Sequence, residues 1–527
     1  MSRPPDIVLL MADQLAAPAL ACYGGTLAPA PAIDRLAAEG MVFDRAYCNS
    51  PICAPSRYSM LAGRLPHAIG AYDNATEFAS SIPTMAHYLA AAGYRTILAG
   101  KMHFVGPDQL HGYAERLTTD IYPAEFLWVP DWSKGPAHKP TGVGMTHVVD
   151  AGPCLRNMQI DYDEEVAHVA VQRVWDIARE RARAERGGDE ASPFFLTVSF
   201  THPHPPFVAP EDHWDRIDPA RVPMPSVPEI AFEQLDPHSQ WLYLAHGQDR
   251  HRLTAEHVRR ARRAYAAMVS YVDEKIGAVL DALERSGLAS DALVVFCADH
   301  GEMMGERGMW FKQTFYEWSS RVPLVFRWPG RANRGRSDAV CSLVDLLPTF
   351  IEAASATEVV PVDPLAGRSL LGLVRGAADP STREALAEYS SEGVAAASRM
   401  LRTGRWKYIV THGLPPMLYD LDADPAELRD LAGDPAHAAI EAALRERIFR
   451  DWDADAIDRD IRASQRRRLF LRDLAQRQGT FPQWTHEVRP GDAGRFVRPS
   501  TAGGPVGPKP RSRFPYRQPT PPDAPKG

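Results

Sequence analysis

Long apolar runs are missing from this chain. No stretch of its 527 residues approaches the roughly 20 apolar positions that a membrane-spanning helix needs, so no membrane segment is expected. Cysteine is scarce. Cys22, Cys48, Cys53, Cys154, Cys297 and Cys341 show none of the close pairing of a zinc site, and six in a chain this long make no disulfide framework. An excess of positive charge is missing too. The net charge of −7 argues against a nucleic-acid surface but not against an anionic substrate, because a few clustered cations set the local field. The opening Met1-Ser2-Arg3-Pro4-Pro5-Asp6 lacks the apolar core of an export signal, so a cytoplasmic location is the expectation. The sequence shows no internal repeats. What remains has ordinary globular composition, 45% hydrophobic and 24% charged, and enough length for a large core and more than one domain.

Four short apolar runs read as fully buried strands of a parallel sheet: Ile7–Met11, Tyr94–Ala99, Pro193–Phe200 and Ala292–Cys297. Each empties into polar residues, namely Asp13-Gln14, Lys101 with His103, His202, and Asp299-His300. Lys101 and His103 are two apart, so on an extended segment they point the same way and suit the oxygens of a sulfate or phosphate. Helical patterns lie between the runs. The clearest spans Thr254 to Gly287, where Val258, Ala261, Tyr265, Met268, Val272, Ile276, Val279 and Leu283 recur at steps of three and four. Another runs from Asp161 to about Glu185. This alternation predicts an α/β fold with a large, mainly parallel mixed sheet sandwiched by helices. Parallel strands put their C-terminal ends along one edge, so the four polar ends converge there. Residues 105–160 and 205–250 read as long loops, the first as a wall of the substrate pocket. Further on, Arg405–Ile409 and Leu418–Leu421 read as hairpin strands, with a helix from Ala438. The expected domains are a catalytic α/β domain over 1–374, a smaller α+β subdomain with an antiparallel sheet over 375–463, and an extended tail rich in Arg, Pro and Gly over 464–527.

Between the first two strands lies Asn49-Ser50-Pro51-Ile52-Cys53-Ala54-Pro55-Ser56-Arg57, followed by Leu61-Ala62-Gly63-Arg64. Pro55 and Ser56 suit a turn that opens a helix, and Arg57, one turn on from Cys53, can aim its guanidinium at an anion held there. This stretch resembles the sulfatase signature, C-x-P-S-R followed by L-x-G-R. With the strand ends, the chain from Asp6 to about Leu431 is similar to the type I, formylglycine-dependent sulfatases of the alkaline phosphatase superfamily. Leu418-Tyr419-Asp420-Leu421 with Asp424-Pro425-Ala426-Glu427 resembles the closing motif of that family.

The resemblance implies that a formylglycine-generating maturation enzyme oxidises Cys53 to 3-oxoalanine (formylglycine), whose hydrate attacks the sulfur of a sulfate monoester. It implies one divalent cation held by Asp13, Gln14, Cys53, Asp299 and His300, with Gln14 and His300 standing where many sulfatases have Asp and Asn. Ca²⁺ is the expected ion. The imidazole keeps Mn²⁺ or Mg²⁺ as alternatives. Arg57, Lys101 and Lys312 would offset the charge of the sulfate, His103 would act as a base, and His202 or Lys312 would protonate the leaving alcohol. Asn74 matches the position that hydrogen-bonds the sulfate in relatives.

Within the family, the stretches Ala71–Ala75, Gly100–Phe104 with Gly106–Gly112, Thr118–Ala124 and Ser464–Arg468 are similar to the choline sulfatases. A quaternary ammonium donates no hydrogen bond, so it needs an aromatic face and a carboxylate, for which Trp128 and Glu392 are the candidates. Choline O-sulfate is the expected substrate. One departure stands out: Phe496 to Gly503 offers no carboxylate where that branch returns an acidic residue from the tail. The tail is still expected to bind a neighbouring subunit, giving a homo-oligomer, a dimer or tetramer. The alternatives are a phosphonate monoester or phosphodiester hydrolase, an arylsulfatase of the same superfamily, or, in another class, an inactive binding protein with unmodified Cys53.

Overall fold

The computed structural model describes residues 3–355, 358–379, 382–497, 513, 515 and 517–518. An eight-stranded sheet forms the centre of the large core. Its order is Gly335–Ser342, Met41–Tyr47, Leu324–Arg327, Leu293–Ala298, Ile7–Ala12, Phe194–Phe200, Arg95–Gly100 and Glu115–Arg116. Neighbours run parallel except at Leu324–Arg327, which is antiparallel to both of its partners. The fold class read from the sequence is the one observed.

Ile7–Ala12 lies inside the sheet with all six side chains buried, which is why it is continuously apolar rather than alternating. Ala12 pairs with Phe200 on one side and Ala298 on the other. Gly100 pairs with Ser199 on the next strand. The four strands therefore end level, and Asp13, Lys101, Thr201 and Asp299 leave the sheet side by side. Gly100 is required at its position. Its φ is +101°, and a Cβ there would lie 2.0 Å from the Ser199 carbonyl oxygen.

Helices fall into two groups. Met158–Gly187 packs along Ala255–Arg285, which also meets Pro31–Glu39. Cys53–Ala62, Met85–Ala91 and Leu346–Ala353 pack on one another. Val166, Ala170, Val174 and Ile177 are the buried stripe of the first long helix, as their spacing indicates. Asn157 caps it by accepting from the Ile160 N–H at 2.7 Å. Among the described residues no helix is long and apolar enough to cross a membrane.

Several elements differ from expectation. The small sheet has four strands in an antiparallel meander, Glu384–Tyr389, Ser398–Thr403, Trp406–Thr411 and Met417–Asp420, where only the last two pattern as a hairpin. The 205–250 loop contains the helices Glu211–Arg216 and Pro237–His246. Helix Ala454–Gln478 runs straight through the boundary expected at 463/464, so residues 464–478 are helical and not extended. Beyond it the chain lies on its own fold. Trp484 meets Phe126 with ring centroids 5.3 Å apart, Arg489 and Arg495 pair with Glu165, and Phe496 meets Tyr162. The stretch from Arg498 to Gly503, where the missing carboxylate was noted, lies outside the described residues.

Candidate active site

Cys53 is the first residue of helix Cys53–Ala62, whose ten residues are all buried. Ile52 precedes it in an extended conformation, and the first helical hydrogen bond runs from the Ser56 N–H to the Ile52 carbonyl at 3.1 Å. Pro55 therefore sits in the first turn, where its missing N–H costs nothing. Gly63 ends the helix at φ +64°, and a Cβ there would meet the Leu347 side chain at 2.8 Å. These constraints account for the proline and the glycine of the motif without reference to chemistry.

The strand ends converge on Cys53. Its Sγ lies 3.7 Å from Asp13 Oδ1, 3.3 Å from His300 Nε2 and 3.0 Å from Lys312 Nζ. Burial alone would push the thiol pKa up. Lys101, Lys312 and His300 outweigh it and pull the thiol well below its usual range. Asp13 behaves oppositely: burial, then the Asp299 and Cys53 charges, raise it to about 7 despite its ion pair with Lys101.

Asp13, Cys53, Asp299 and His300 each offer one donor atom, and these atoms all lie within 4.8 Å of one another in a fully buried cluster. His300 Nδ1 is 3.1 Å from the Gly301 carbonyl oxygen, which only accepts, so Nδ1 carries the proton and Nε2 keeps its lone pair toward the cluster. Gln14 donates from Nε2 to Glu302, and its Oε1 is left buried with no hydrogen-bond partner. Two carboxylates, an imidazole nitrogen and an unsatisfied amide oxygen fit a divalent cation.

Arg57 does not offer a free fork to an anion. Its Nε donates to Asp299 Oδ2 at 2.8 Å and its Nη1 to the Lys101 carbonyl and Ser199 Oγ, leaving only Nη2 without a partner. It holds a carboxylate of the cluster in place. Lys101 pairs with Asp13 and lies 4.2 Å from the centroid of the Tyr122 ring. His103 stacks on the same ring at 4.5 Å, and its burial keeps its pKa below the usual imidazole value.

The two histidines of Thr201–Pro206 divide differently from expectation. His202 turns away from the site. Its Nδ1 is 2.7 Å from Asp163 Oδ2 and its ring meets Tyr271 edge-on. His204, which the sequence reading passed over, lines the same cavity as Cys53, with its Nε2 3.2 Å from the Tyr122 hydroxyl. Burial, then Lys312, hold its pKa well below the usual value. Both residues carry the same signal, an imidazole next to a proline, so only the course of the turn separates them.

Cys53 lies at a small cavity of about 40 Å³ that opens to solvent. Asn74, Trp128, Lys312 and Glu392, all expected at the site, line it together with Tyr122, Gln313 and the 141–143 loop. Asn74 Oδ1 accepts from the Ala54 N–H at 2.9 Å, capping the start of the Cys53 helix. Trp128 stands edge-on to Tyr122, with centroids 5.0 Å apart. Glu392 is buried, which raises its pKa, and it accepts from Thr141 Oγ1 at 2.7 Å. Gln313 and Thr141 have no distinguishing signal in the sequence, and Tyr122 lies in the Thr118–Ala124 stretch with nothing to single it out there.

Comparison with known proteins identifies the family. The sulfatase family matches residues 5–356, and the family described as N-sulphoglucosamine sulphohydrolase, C-terminal, matches residues 305–453. The chain is 42% identical over 502 residues to the choline-sulfatase of Rhizobium meliloti, covering 94% of this chain and 96% of the relative. It is 30% identical over 457 residues to arylsulfatase K of Gallus gallus, covering 82% and 79%. Among solved structures, the phosphonate monoester hydrolase of Agrobacterium radiobacter shares the fold at a TM-score of 0.66 and 22% identity, covering 88% of this chain and 96% of that one. A family match of this extent, with a relative aligned almost end to end, makes the chain a member of the sulfatase family and a sulfuric ester hydrolase.

Proposed function

We propose that the chain hydrolyses choline O-sulfate to choline and sulfate, with Cys53 in its formylglycine form and one Ca²⁺ bound by Asp13, Gln14, Asp299, His300 and residue 53. The observation that carries the substrate is the wall of the cavity. Trp128 and Tyr122 present aromatic surface and Glu392 a carboxyl group, in the same cavity as Lys312 and Asn74. Aromatic faces and a carboxyl group suit an ammonium, while the lysine and the amide suit a sulfate. The 42% identity to a choline-sulfatase supports the same substrate.

Once hydrated, formylglycine supplies two hydroxyls on one carbon, one to attack sulfur and one to expel sulfate. A bound divalent cation supplies positive charge that favours the ionised hydroxyl and draws charge from the sulfate oxygens. The chain's own residues do the rest. Lys312 faces the sulfur atom of residue 53 and offsets the charge of the approaching sulfate. Arg57 fixes Asp299, and Lys101 fixes Asp13, so neither carboxylate has to reorganise when charge develops. An arriving sulfate anion would favour the protonated imidazole of His204, which lines the cavity beside the Tyr122 hydroxyl and would then give the leaving alcohol its proton. His103, buried and neutral behind Tyr122, is the base candidate on the Cys53 side. Oxidation of Cys53 by a maturation enzyme, a homo-oligomer built through the C-terminal tail and a cytoplasmic setting belong to the same reading.

A substrate panel tests it. Choline O-sulfate, 4-nitrophenyl sulfate and an aryl phosphonate monoester are compared on enzyme whose Cys53 peptide shows the mass loss of formylglycine. The expected order of kcat/KM places choline O-sulfate first. Preference for the phosphonate, or full activity with an unmodified thiol, would overturn the reading.

A further inference from the structure

The helix Ala454–Gln478 reaches the cavity wall from the far end of the chain. Three residues spaced three apart on one of its faces touch segments that adjoin wall residues in the chain. Arg462 donates to the Ala395 carbonyl oxygen at 2.9 Å and lies 5.2 Å from the centroid of the Trp132 ring. Gln465 Oε1 accepts from the Trp132 N–H at 3.1 Å, and Trp132 Nε1 donates to the carbonyl of Ser391, next to Glu392.

Arg468 makes the strongest of these contacts. Its Nη1 and Nη2 meet the two carboxylate oxygens of Asp73 at 2.6 and 2.8 Å, with Asp73 fully buried and Arg468 5% exposed. Asp73 organises a tight turn. Its Oδ1 also accepts from the Ala75 N–H at 2.9 Å, while Thr76 Oγ1 accepts from the N–H groups of Tyr72 and Asp73. Asn74 sits inside that turn, lines the cavity and caps the Cys53 helix through Ala54. A buried carboxylate stripped of its cation has to find water or move, and either would carry Asn74 with it.

We propose that Arg468 is a positioning residue for sulfate binding. Through Asp73 it fixes Asn74 against the first turn of the Cys53 helix, so the helix near the end of the chain completes the sulfate side of the cavity. The inference rests on the reading that Asn74 faces the sulfate group.

Arg468→Lys tests it, because lysine keeps the charge and loses the two-pronged match. Inorganic sulfate is titrated calorimetrically into wild type and variant, well below the Tm of each, and turnover is measured on choline O-sulfate and 4-nitrophenyl sulfate. The expected result is a loss of about tenfold or more in sulfate affinity and in kcat/KM for both esters alike. Asp73→Asn reads the same link if Arg468→Lys does not fold, and the double variant is expected to lose no more than either single one. Leu444→Ala, in the core beside the small sheet, is the control: it lowers Tm and leaves sulfate affinity unchanged. Wild-type sulfate affinity in Arg468→Lys overturns the inference. So does an equal loss in Leu444→Ala, or a wild type with no affinity for sulfate. A wild type that binds sulfate and turns over the aryl ester but not choline O-sulfate overturns the choline reading and leaves this one standing.

Discussion

Lys312 places its ammonium nitrogen 3.0 Å from the Cys53 sulfur and 3.4 Å from His300 Nε2. Burial would strip this lysine of its proton, but Cys53 and Asp13 outweigh burial and raise its pKa above the usual value. With Cys53 as a thiol it is held as a cation beside residue 53. Lys312→Ala is therefore expected to lower kcat for 4-nitrophenyl sulfate by about 10²-fold or more while the circular dichroism spectrum stays unchanged. Cys53→Ala is expected to abolish turnover outright. Near-wild-type rates in either variant would remove the mechanism.

His204 and His202 should separate by kind of effect. His204→Ala loses the imidazole in the cavity, and a fall in kcat of about 10²-fold is expected, larger for a poor leaving alcohol than for 4-nitrophenol. His202→Ala leaves Asp163 short of one donor and is expected to cost about 1–3 kcal/mol in urea unfolding, with kcat changed only a little. The reverse pattern would return His202 to the catalytic role.

Trp128→Ala removes an aromatic face from the cavity wall but touches no sulfate group. KM for choline O-sulfate is expected to rise about tenfold, against a small change for 4-nitrophenyl sulfate. Equal effects on the two esters would exclude an ammonium pocket at this wall.

Chelation gives a readout that does not depend on turnover. Without a bound metal ion, Asp13 and Asp299 face each other with Lys101, Arg57 and Lys312 as the cations beside them. Dialysis against EDTA is expected to lower Tm by a few degrees, and added Ca²⁺ to restore it in a concentration-dependent way. Restoration by Mn²⁺ and not by Ca²⁺ would reassign the ion.

Acid sensitivity should arise where the small sheet meets the large one. Burial pushes the Glu317 carboxyl up, but Lys407 and then Arg321 outweigh it and hold it at about 2, with Arg402 adding to them. Lys407 reaches Glu317 from strand Trp406–Thr411 at 2.8 Å and also pairs with Glu427, while the Tyr47 hydroxyl donates to Glu317. A carboxyl lower in the folded state than its ordinary 4.5 stabilises the fold above that value. This contribution is lost as the pH falls from about 4.5 toward 2. Lys407→Met is expected to cost about 3–5 kcal/mol near neutral pH and to flatten the pH dependence in that window. Thermal melts from pH 2 to 7 check both.

The central strands were legible because each is buried on both faces, which forces a continuous apolar run and leaves the polar change at its end conspicuous. One strand without such a run carries the opposite signal. Ser398–Thr403 holds Arg399 and Arg402 in buried positions, where Glu388 and Asp451 pair with the first guanidinium and the Tyr47 hydroxyl accepts from the second. Those partners are remote in sequence, so the strand reads as surface. Helix Ala454–Gln478 is hidden in the sequence for a similar reason. Its run of arginines looks solvated, yet Arg468 is spent on a buried aspartate almost four hundred residues away. At the site, residue types at strand ends were readable. The direction of each side chain was not, since it depends on how a turn leaves the sheet.

Cys53 is 1% exposed in the finished fold, and the helix that braces its cavity leaves the ribosome long after it. About four hundred residues of synthesis separate Cys53 from Arg468, a delay on the order of twenty seconds to a minute. Any enzyme that is to alter the Cys53 thiol has access mainly in that interval, when the motif is a loose peptide and the brace does not yet exist. The order of residues along the chain thus leaves the proposed oxidation of Cys53 a window before the thiol is sealed in.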